Sequence, residues 1–279
     1  MITATLDGLQ FSTEAGATYT IERLEGWYGS PPVKTQVDER PRADGSFALS
    51  DFQRSARPIT VSGQVHTSGA GQSSWSALAA ACGLGVPRLL TVTDVEGPRS
   101  AVVMPYASGL SLTPITAETA VYVLSLLAFD PVKYGPDRAA VTGVPTAGGG
   151  LQYPLHNAGV LEYGANGDLG RVTVTNSGTA GVWPVFTVTG VFTNGFNIRR
   201  LDLNRTVTYA RVVPAGTTVT IDSRTGSVLI DGTSDGSTFL TRSEFFSVGP
   251  GESFEVQVSA IDGSSGTPLM TVTSSDGFW

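Results

Sequence analysis

The two histidines are the first residues to consider for catalysis or metal binding. His66 and His156 lie far apart in the chain, and their neighbours are small or polar residues rather than further metal ligands. A histidine-based metal site or a Ser-His-Asp triad needs partners, and the sequence shows no spacing that would supply them. We therefore predict no metal ligands and no catalytic residues.

Paired carboxylates offer a second kind of chemistry, because glycoside hydrolysis needs two of them facing each other across a cleft. The chain has 24 acidic residues, but most stand in turn sequences. Asp231 and Asp235 each precede a glycine, where a side-chain hydrogen bond to the backbone explains an aspartate. Their spacing resembles a calcium loop without its companion ligands and closing glutamate. Since no glycine-rich loop precedes a helix either, the sequence predicts no cofactor.

Exposed aromatic rings bind sugars by stacking, which makes the tryptophans a third group to consider. Trp27, Tyr28, Trp183 and Trp279 are the candidates, and Trp183 is the one that we single out for glycan stacking. The alternative is that these side chains belong to the hydrophobic core, where large aromatic residues are more often found.

Charge and hydropathy exclude two classes of partner. The net charge of −7 and the pI near 4.8 argue against sequence-specific nucleic-acid binding, which needs a clustered basic face. The longest apolar run, Ala120 to Phe129, is about half the length of a membrane span and contains Ser125, so we predict no membrane insertion. The first residues lack the pattern of a secretory signal, which predicts a soluble chain made in a cytoplasm.

Short β-branched or alternating segments recur along the chain, separated by turn pairs such as Asp7-Gly8 and Asp231-Gly232. This pattern predicts an antiparallel all-β fold. The predicted strands are Ile59–Val65, Leu89–Val95, Val121–Phe129, Arg171–Thr175, Val185–Val191, Val207–Val213, Thr217–Ile221, Ser227–Ile230, Phe254–Ala260 and Leu269–Thr273.

One segment has the pattern of a helix. Ser73 is a candidate N-cap, apolar residues recur at helical spacing from Trp75 to Cys82, and Gly83 is a candidate C-cap. We therefore expect one short helix near residues 74–82, packed on the first sheet. Cys82, the single cysteine, is expected to be a small buried hydrophobic residue.

A segment rich in glycine and proline divides the chain. We expect an amino-terminal domain at 1–137, a linker at 138–158 and a carboxy-terminal domain at 159–279. The first domain is predicted to be a β-sandwich or split barrel with one helix. The second is predicted to be a β-sandwich.

Four passages in this order resemble the siphophage tail component family, which includes the distal tail proteins of long-tailed bacteriophages. The first passage comprises Gly26-Trp-Tyr-Gly, Arg42-Ala-Asp-Gly and Arg57-Pro-Ile-Thr. The second is Phe129-Asp-Pro-Val-Lys-Tyr, similar to an Asp-Pro-x-x-Tyr motif of phages infecting actinobacteria. The third and fourth are Thr220-Ile-Asp-Ser-Arg-Thr-Gly and Phe246-Ser-Val-Gly-Pro-Gly-Glu.

The motif positions that the resemblance marks as structural are Asp130, Pro131, Tyr134, Asp222 and Gly251. The fourth passage departs from the family pattern at Glu252, where an asparagine is expected. The resemblance further implies that the second domain is a jelly roll like those of galectins and carbohydrate-binding modules.

The resemblance implies a structural virion protein without enzymatic activity, located at the tail tip or baseplate and made in the host cytoplasm. The first domain would form a hexameric ring below the tail tube. The implied partners are copies of the same chain, the tail tube protein, the tape measure protein and receptor-binding tip proteins. The acidic balance would suit a channel through which DNA slides without sticking.

Two interpretations from other classes stay open. The second domain is alternatively a carbohydrate-binding module that contacts the host cell-wall glycan, and the third interpretation is a β-sandwich hydrolase. The nearest structural competitor is a related tail protein, such as the tube subunit or a minor tail fibre anchor, and the two-domain length favours the distal tail protein over the tube subunit.

Overall fold

The computed structural model describes residues 1–34, 39–47, 53–67, 71–83, 85–146, 156–157, 160–161 and 167–279. These residues are mostly β-strands, with one α-helix among them. They form two compact units, the first comprising residues 1–136 and 278–279 and the second residues 137–277. The predicted all-β fold class is confirmed.

Strands follow one another along the chain with few interruptions. In chain order, the elements are β1 (Thr3–Leu6), β2 (Leu9–Ser12), β3 (Tyr19–Thr20), β4 (Arg23–Glu25), β5 (Val33–Lys34), β6 (Gln53–Arg54), β7 (Arg57–His66), α1 (Gly71–Gly83), β8 (Arg88–Asp94), β9 (Gly97–Pro114), β10 (Thr119–Ala128), β11 (Lys133–Tyr134), β12 (Arg138–Gly143), β13 (His156–Asn157), β14 (Val160–Leu161), β15 (Arg171–Thr175), β16 (Val185–Phe192), β17 (Phe196–Arg200), β18 (Arg205–Tyr209), β19 (Thr218–Asp222), β20 (Val228–Ile230), β21 (Ser234–Asp235), the 3₁₀ helix Ser237–Phe239, β22 (Leu240–Ser243), β23 (Ser253–Ala260), β24 (Ser264–Ser274) and β25 (Gly277–Phe278). All ten predicted strands overlap observed ones.

The first unit is built on one large sheet with the order β10-β7-β3-β2-β1-β8-β9-β11-β25. Because β9 also pairs with β10, this sheet closes on itself. The pairings are antiparallel except that of β2 with β3. Alternate residues of β7, including Ile59, Val61 and Val65, point into the core that the sheet encloses.

The predicted helix is present and is slightly longer than expected. It begins at Gly71, two residues before the predicted cap Ser73, so that serine lies inside the helix. Leu78 is fully buried in the core of the first unit, and Trp75 and Cys82 pack against that core. Burial raises the pKa of the Cys82 thiol to about 11, which keeps it protonated and unreactive at neutral pH.

The second unit is a sandwich of two antiparallel sheets, as predicted. One has the order β12-β24-β16-β19-β20-β21 and the other β15-β23-β17-β18-β22. Aromatic rings fill the space between the sheets: Phe186 meets Phe246 edge-on at 5.7 Å, and Phe196 stacks on Tyr209 at 5.3 Å between ring centroids.

The first residues of the predicted linker form a β-strand in the structure. Residues 138–143 form β12, which pairs along its length with β24, from Arg138 opposite Ser274 to Gly143 opposite Leu269. This edge strand is held by its backbone hydrogen bonds, because its alanines bury little apolar surface and gave no sequence signal. Residues 147–155 and 158 of the predicted linker lie outside the described residues.

The described parts of the chain contain no helix with the length and apolar character that a membrane crossing requires. The domain boundaries given by the sequence, 1–137 and 159–279, remain a prediction.

Candidate functional site

A buried arginine joins two of the family-like passages in the first unit. Arg57, at the start of β7, is 1% exposed. Its Nη1 donates hydrogen bonds to the carbonyl oxygens of Gly26, Trp27 and Gly29 at 2.8, 3.2 and 2.7 Å. Its Nε donates to the carbonyl of Pro131 at 3.0 Å. One guanidinium therefore fixes loop 26–29 and the turn after β10 to the same strand.

A lysine is buried beside this arginine. Lys133 is 2% exposed, its Nζ donates to the Trp27 carbonyl at 2.8 Å, and it lies 5.5 Å from the Trp27 ring centroid. Burial lowers the pKa of Lys133 to about 8, and repulsion from Arg57 and Arg99 contributes to this shift. The Trp27 carbonyl and the negative charges of Asp94 and Glu96 stabilise the charged lysine in part.

Loss of the Lys133 proton should therefore stabilise the first unit as the pH rises in alkaline solution. Below pH 8 both the folded and unfolded states hold this proton, so the burial penalty is complete; between pH 8 and 10.5 the unfolded state binds more proton. The contribution of Lys133 should be on the order of 3 kcal/mol. The raised pKa of the Cys82 thiol has the opposite effect above pH 9. Urea unfolding between pH 7 and 10 should therefore show the Lys133 contribution as the difference in pH slope between the native protein and a variant without this lysine.

Lys133→Met should remove this dependence, whereas replacing the other lysine, the exposed Lys34, by methionine should leave it intact. Equal pH slopes for the native protein and Lys133→Met would contradict the assignment.

The motif residues Asp130, Pro131 and Tyr134 lie in one turn. Oδ1 of Asp130 accepts the Val132 N–H at 3.1 Å, and Oδ2 accepts the Tyr134 hydroxyl at 2.7 Å. The turn thereby places the Lys133 side chain in the interior of the first unit. It also positions Tyr134 to pair with β9. We propose a structural role for all three residues, as the resemblance implied.

Asp222 closes the hairpin between β19 and β20. Its Oδ1 accepts the Arg224 N–H at 2.8 Å, and its carbonyl accepts the Gly226 N–H at 2.9 Å. Gly226 has a φ of 71°, which a residue without Cβ adopts freely. The geometry supports the proposal that Asp222 is a turn residue.

Gly251 lies in the turn that precedes β23. The Glu252 N–H donates to the Gly249 carbonyl at 3.2 Å, and Gly251 has a φ of 68°. The carboxylate of Glu252 accepts the Gly249 N–H in return, and this hydrogen bond lowers the pKa of Glu252. Two hydrogen bonds between Gly249 and Glu252 therefore close the turn, which supports a structural role for Gly251.

The glutamate at position 252, where the family resemblance implies asparagine, has a physical explanation. Arg200 at the end of β17 is 4% exposed, forms two 2.8 Å hydrogen bonds with Asp202, and pairs with Glu252. Its guanidinium also lies 3.7 Å from the Phe254 ring centroid. Glu252 supplies charge to a buried cation, which an asparagine would not do.

A buried asparagine connects the chain segments around this turn. Asn176 is fully buried, its Nδ2 donates to three carbonyls between 2.7 and 3.2 Å, and its Oδ1 accepts two N–H groups at 3.0 and 3.1 Å. The carbonyls belong to Ala180, Val248 and Gly249, and the N–H groups to Gly178 and Gly277.

The residues considered for catalysis are separate and make structural contacts. His66 is exposed with a ring nitrogen 3.4 Å from the Thr119 hydroxyl, and His156 lies in β13. Oδ1 of Asp231 accepts the Thr218 N–H, and Oδ1 of Asp235 the Ser237 N–H, each at 2.8 Å. The described ranges bring together no three His, Cys, Asp or Glu residues able to hold a metal.

The candidate sugar-stacking aromatics have very different exposures. Trp27 is 1% exposed, so the core interpretation is correct for it. Tyr28 is 51% and Trp183 41% exposed, while Trp279 has the Arg54 guanidinium 5.4 Å from its ring centroid. Trp183 thus meets the exposure requirement for stacking, and its role stays a prediction.

Comparison with known proteins identifies a family whose model matches part of this chain. Residues 177–267 match the family of siphovirus-type tail components, C-terminal domain. The resemblance to siphophage tail components is thereby confirmed. The matched segment is about a third of the chain and includes the Asp222 hairpin, Arg200 and the Glu252 turn. No curated protein sequence matches the chain significantly.

Solved structures resemble the whole chain in fold. The Dit protein of phage SPP1, described as a paradigm of the hub adsorption apparatus in phages infecting Gram-positive bacteria, superposes with a TM-score of 0.68 at 12% identity and full coverage of both chains. Chains of the phage p2 baseplate in its activated conformation, with strontium or calcium, give TM-scores of 0.54 and 0.52 at 8% identity and cover 98% of each chain. At these identities the likeness concerns the fold.

Proposed function

We propose that this chain is a distal tail protein, a structural hub of a siphophage tail tip that joins the tail tube to the host-adsorption apparatus. The observation that carries the proposal is the hub fold over the entire chain, combined with the tail-component match of its second unit. The charged and polar clusters described above support a structural role, because their hydrogen bonds hold turns and loops together.

We infer that the first unit assembles into a hexameric ring. In a cyclic ring each copy presents one face to a different face of its neighbour, and sheet-rich units suit such contacts. The partners would be further copies of the chain, the tail tube protein, the tape measure protein and receptor-binding tip proteins. Infection of an actinobacterial host stays a prediction.

Light scattering of the purified full-length protein tests the ring directly. The expected mass is that of a hexamer of 29.0 kDa chains, or of two such rings. A protein that stays monomeric at all concentrations, and that does not retain the co-expressed tail tube protein in a pull-down, would overturn the proposal. A monomer that retains the tube protein would overturn the ring alone.

A second candidate function is glycan binding by the second unit. It is favoured by the sandwich fold, by the exposed Trp183 and by a polar groove in the same unit. This function is compatible with the first, since a tail-tip protein lies close to the host surface.

A further inference from the structure

A groove of about 530 Å³ lies at the end of the sheet formed by β17, β18 and β22. One wall is the turn between β17 and β18, with Leu203, Asn204 and Arg205; the other is the segment Ser243 to Phe245 that follows β22. It is an open surface groove, because its lining residues are exposed except for the half-buried Phe245.

Two polar side chains of the groove differ in their contacts, since Glu244 is held by hydrogen bonds and Asn204 is available to a ligand. Oε2 of Glu244 accepts the Thr206 N–H at 2.9 Å, and Oε1 accepts a hydrogen bond from Arg242 at 2.9 Å. These contacts lower the pKa of Glu244, Arg242 first among them, so the carboxylate is ionised at neutral pH. Asn204, held at a φ of 53° in the turn, makes no side-chain hydrogen bond to another described residue.

The groove also contains one aromatic ring with a fixed position. Phe245 is half-buried, and a Cβ built on Gly226 would approach its ring edge to 3.1 Å. The hairpin of β19 and β20 therefore packs closely against the ring only because residue 226 is a glycine. This support orients the ring at the groove wall.

We propose that this groove is a saccharide-binding site of the second unit and takes one pyranose unit of a polysaccharide. The proposal rests on the second candidate function and names its site. The Phe245 ring would contact the apolar C–H face of the sugar, Asn204 and Arg205 would donate to hydroxyl oxygens, and Glu244 would accept from a hydroxyl.

The composition of the walls favours a sugar over other small ligands. A phosphate group would face the Glu244 carboxylate, a metal ion would find a single acidic ligand, and a purely apolar ligand would make no use of the polar side chains of Asn204 and Arg205. Hydroxyl groups satisfy donors and acceptors at once, which matches an amide, a guanidinium and a carboxylate in one groove.

The test is binding of the full-length protein to a printed array of oligosaccharides ending in glucose, galactose, mannose, rhamnose or N-acetylglucosamine. We expect binding to at least one group. Asn204→Gly, which keeps the left-handed turn, and Arg205→Gln should each reduce the bound signal about tenfold or more, in keeping with loss of a hydrogen bond to the sugar. Val141→Ala, a change at a 57% exposed position of β12, is the control and should bind as the native protein does.

Two results would overturn the site. One is a folded native protein that binds no sugar of the array; the other is full retention of binding in both groove variants. Light scattering of the same samples separates this outcome from the ring, because a hexamer without glycan binding refutes the groove alone, and a monomer with groove-dependent binding refutes the ring alone.

Discussion

Arg57→Met is expected to destabilise the first unit by about 3–5 kcal/mol, the cost of leaving several buried carbonyl acceptors without their donor. Methionine fills much of the same volume but donates no hydrogen bond. The carbonyls of Gly26, Gly29 and Pro131 would then lose their Arg57 donor in a nearly water-free site. Loop 26–29 should separate from β7.

Urea unfolding followed by circular dichroism measures this loss, and hydrogen exchange over peptides spanning residues 20–34 locates it. The matched control is Arg23→Met, whose native side chain is 76% exposed and lies 3.7 Å from Glu25. A surface pair of this kind contributes about 0–1 kcal/mol. Similar midpoints for the two variants would show that Arg57 does not hold the loop.

Asn176→Asp should have a comparable effect in the second unit, and one that depends on pH. The substitution keeps the shape of the side chain but aims a carboxylate at three carbonyl oxygens in a fully buried site. Burial would raise the pKa of the introduced carboxyl above its usual value of about 4. The variant should therefore lose about 3–5 kcal/mol at pH 7.

The sign of the pH effect distinguishes this mechanism from a general packing defect. A group with a raised folded pKa binds its proton more tightly when folded, so the penalty grows as pH rises from about 4 toward neutrality. The difference in urea midpoint between native protein and variant should thus be small at pH 4 and large at pH 7. Asn204→Asp, at an exposed left-handed turn position, is the control and should stay within about 0.5 kcal/mol. A pH-independent difference would contradict the account of Asn176.

The sequence predicted those parts of the fold that local chemistry determines. Asp7-Gly8 and Asp231-Gly232 adopt positive φ values in tight turns, as such pairs favour. The helix was recognised from its apolar spacing, and the tail-component resemblance from turn motifs in order. These features depend on residues close in the chain, so a single sequence contains them.

The buried cations were missed, although strand alternation contained a signal for two of them. Arg57 lies an even number of residues from Ile59 and Val61 in β7, so its side chain is on the same buried face of the strand. Arg200 shares a face of β17 with Phe196 and Ile198 for the same reason. An arginine on the inward face of a strand predicts a buried guanidinium with carbonyl or carboxylate partners. Identifying the partners of Arg57 requires pairings that join residues 28 to 74 positions apart.

Other elements were missed because long-range pairing determines them. β9 contains Pro98, Pro105 and Pro114, and prolines argue against a strand. The strand forms nevertheless because it pairs with β8 and also with β10, and its pairing with β10 continues on both sides of a bulge. β12 is likewise formed only through its pairing with β24. Neither strand has a local pattern that would predict it.

Antibody labelling of phage particles in electron micrographs tests the central claim most directly, namely that this chain is a structural hub of the tail tip. We predict that a gold-labelled antibody against the purified protein marks the distal end of the tail, where averaged images show six-fold density. Label spread along the tail tube or on the capsid, or its absence from the particle, would contradict the account.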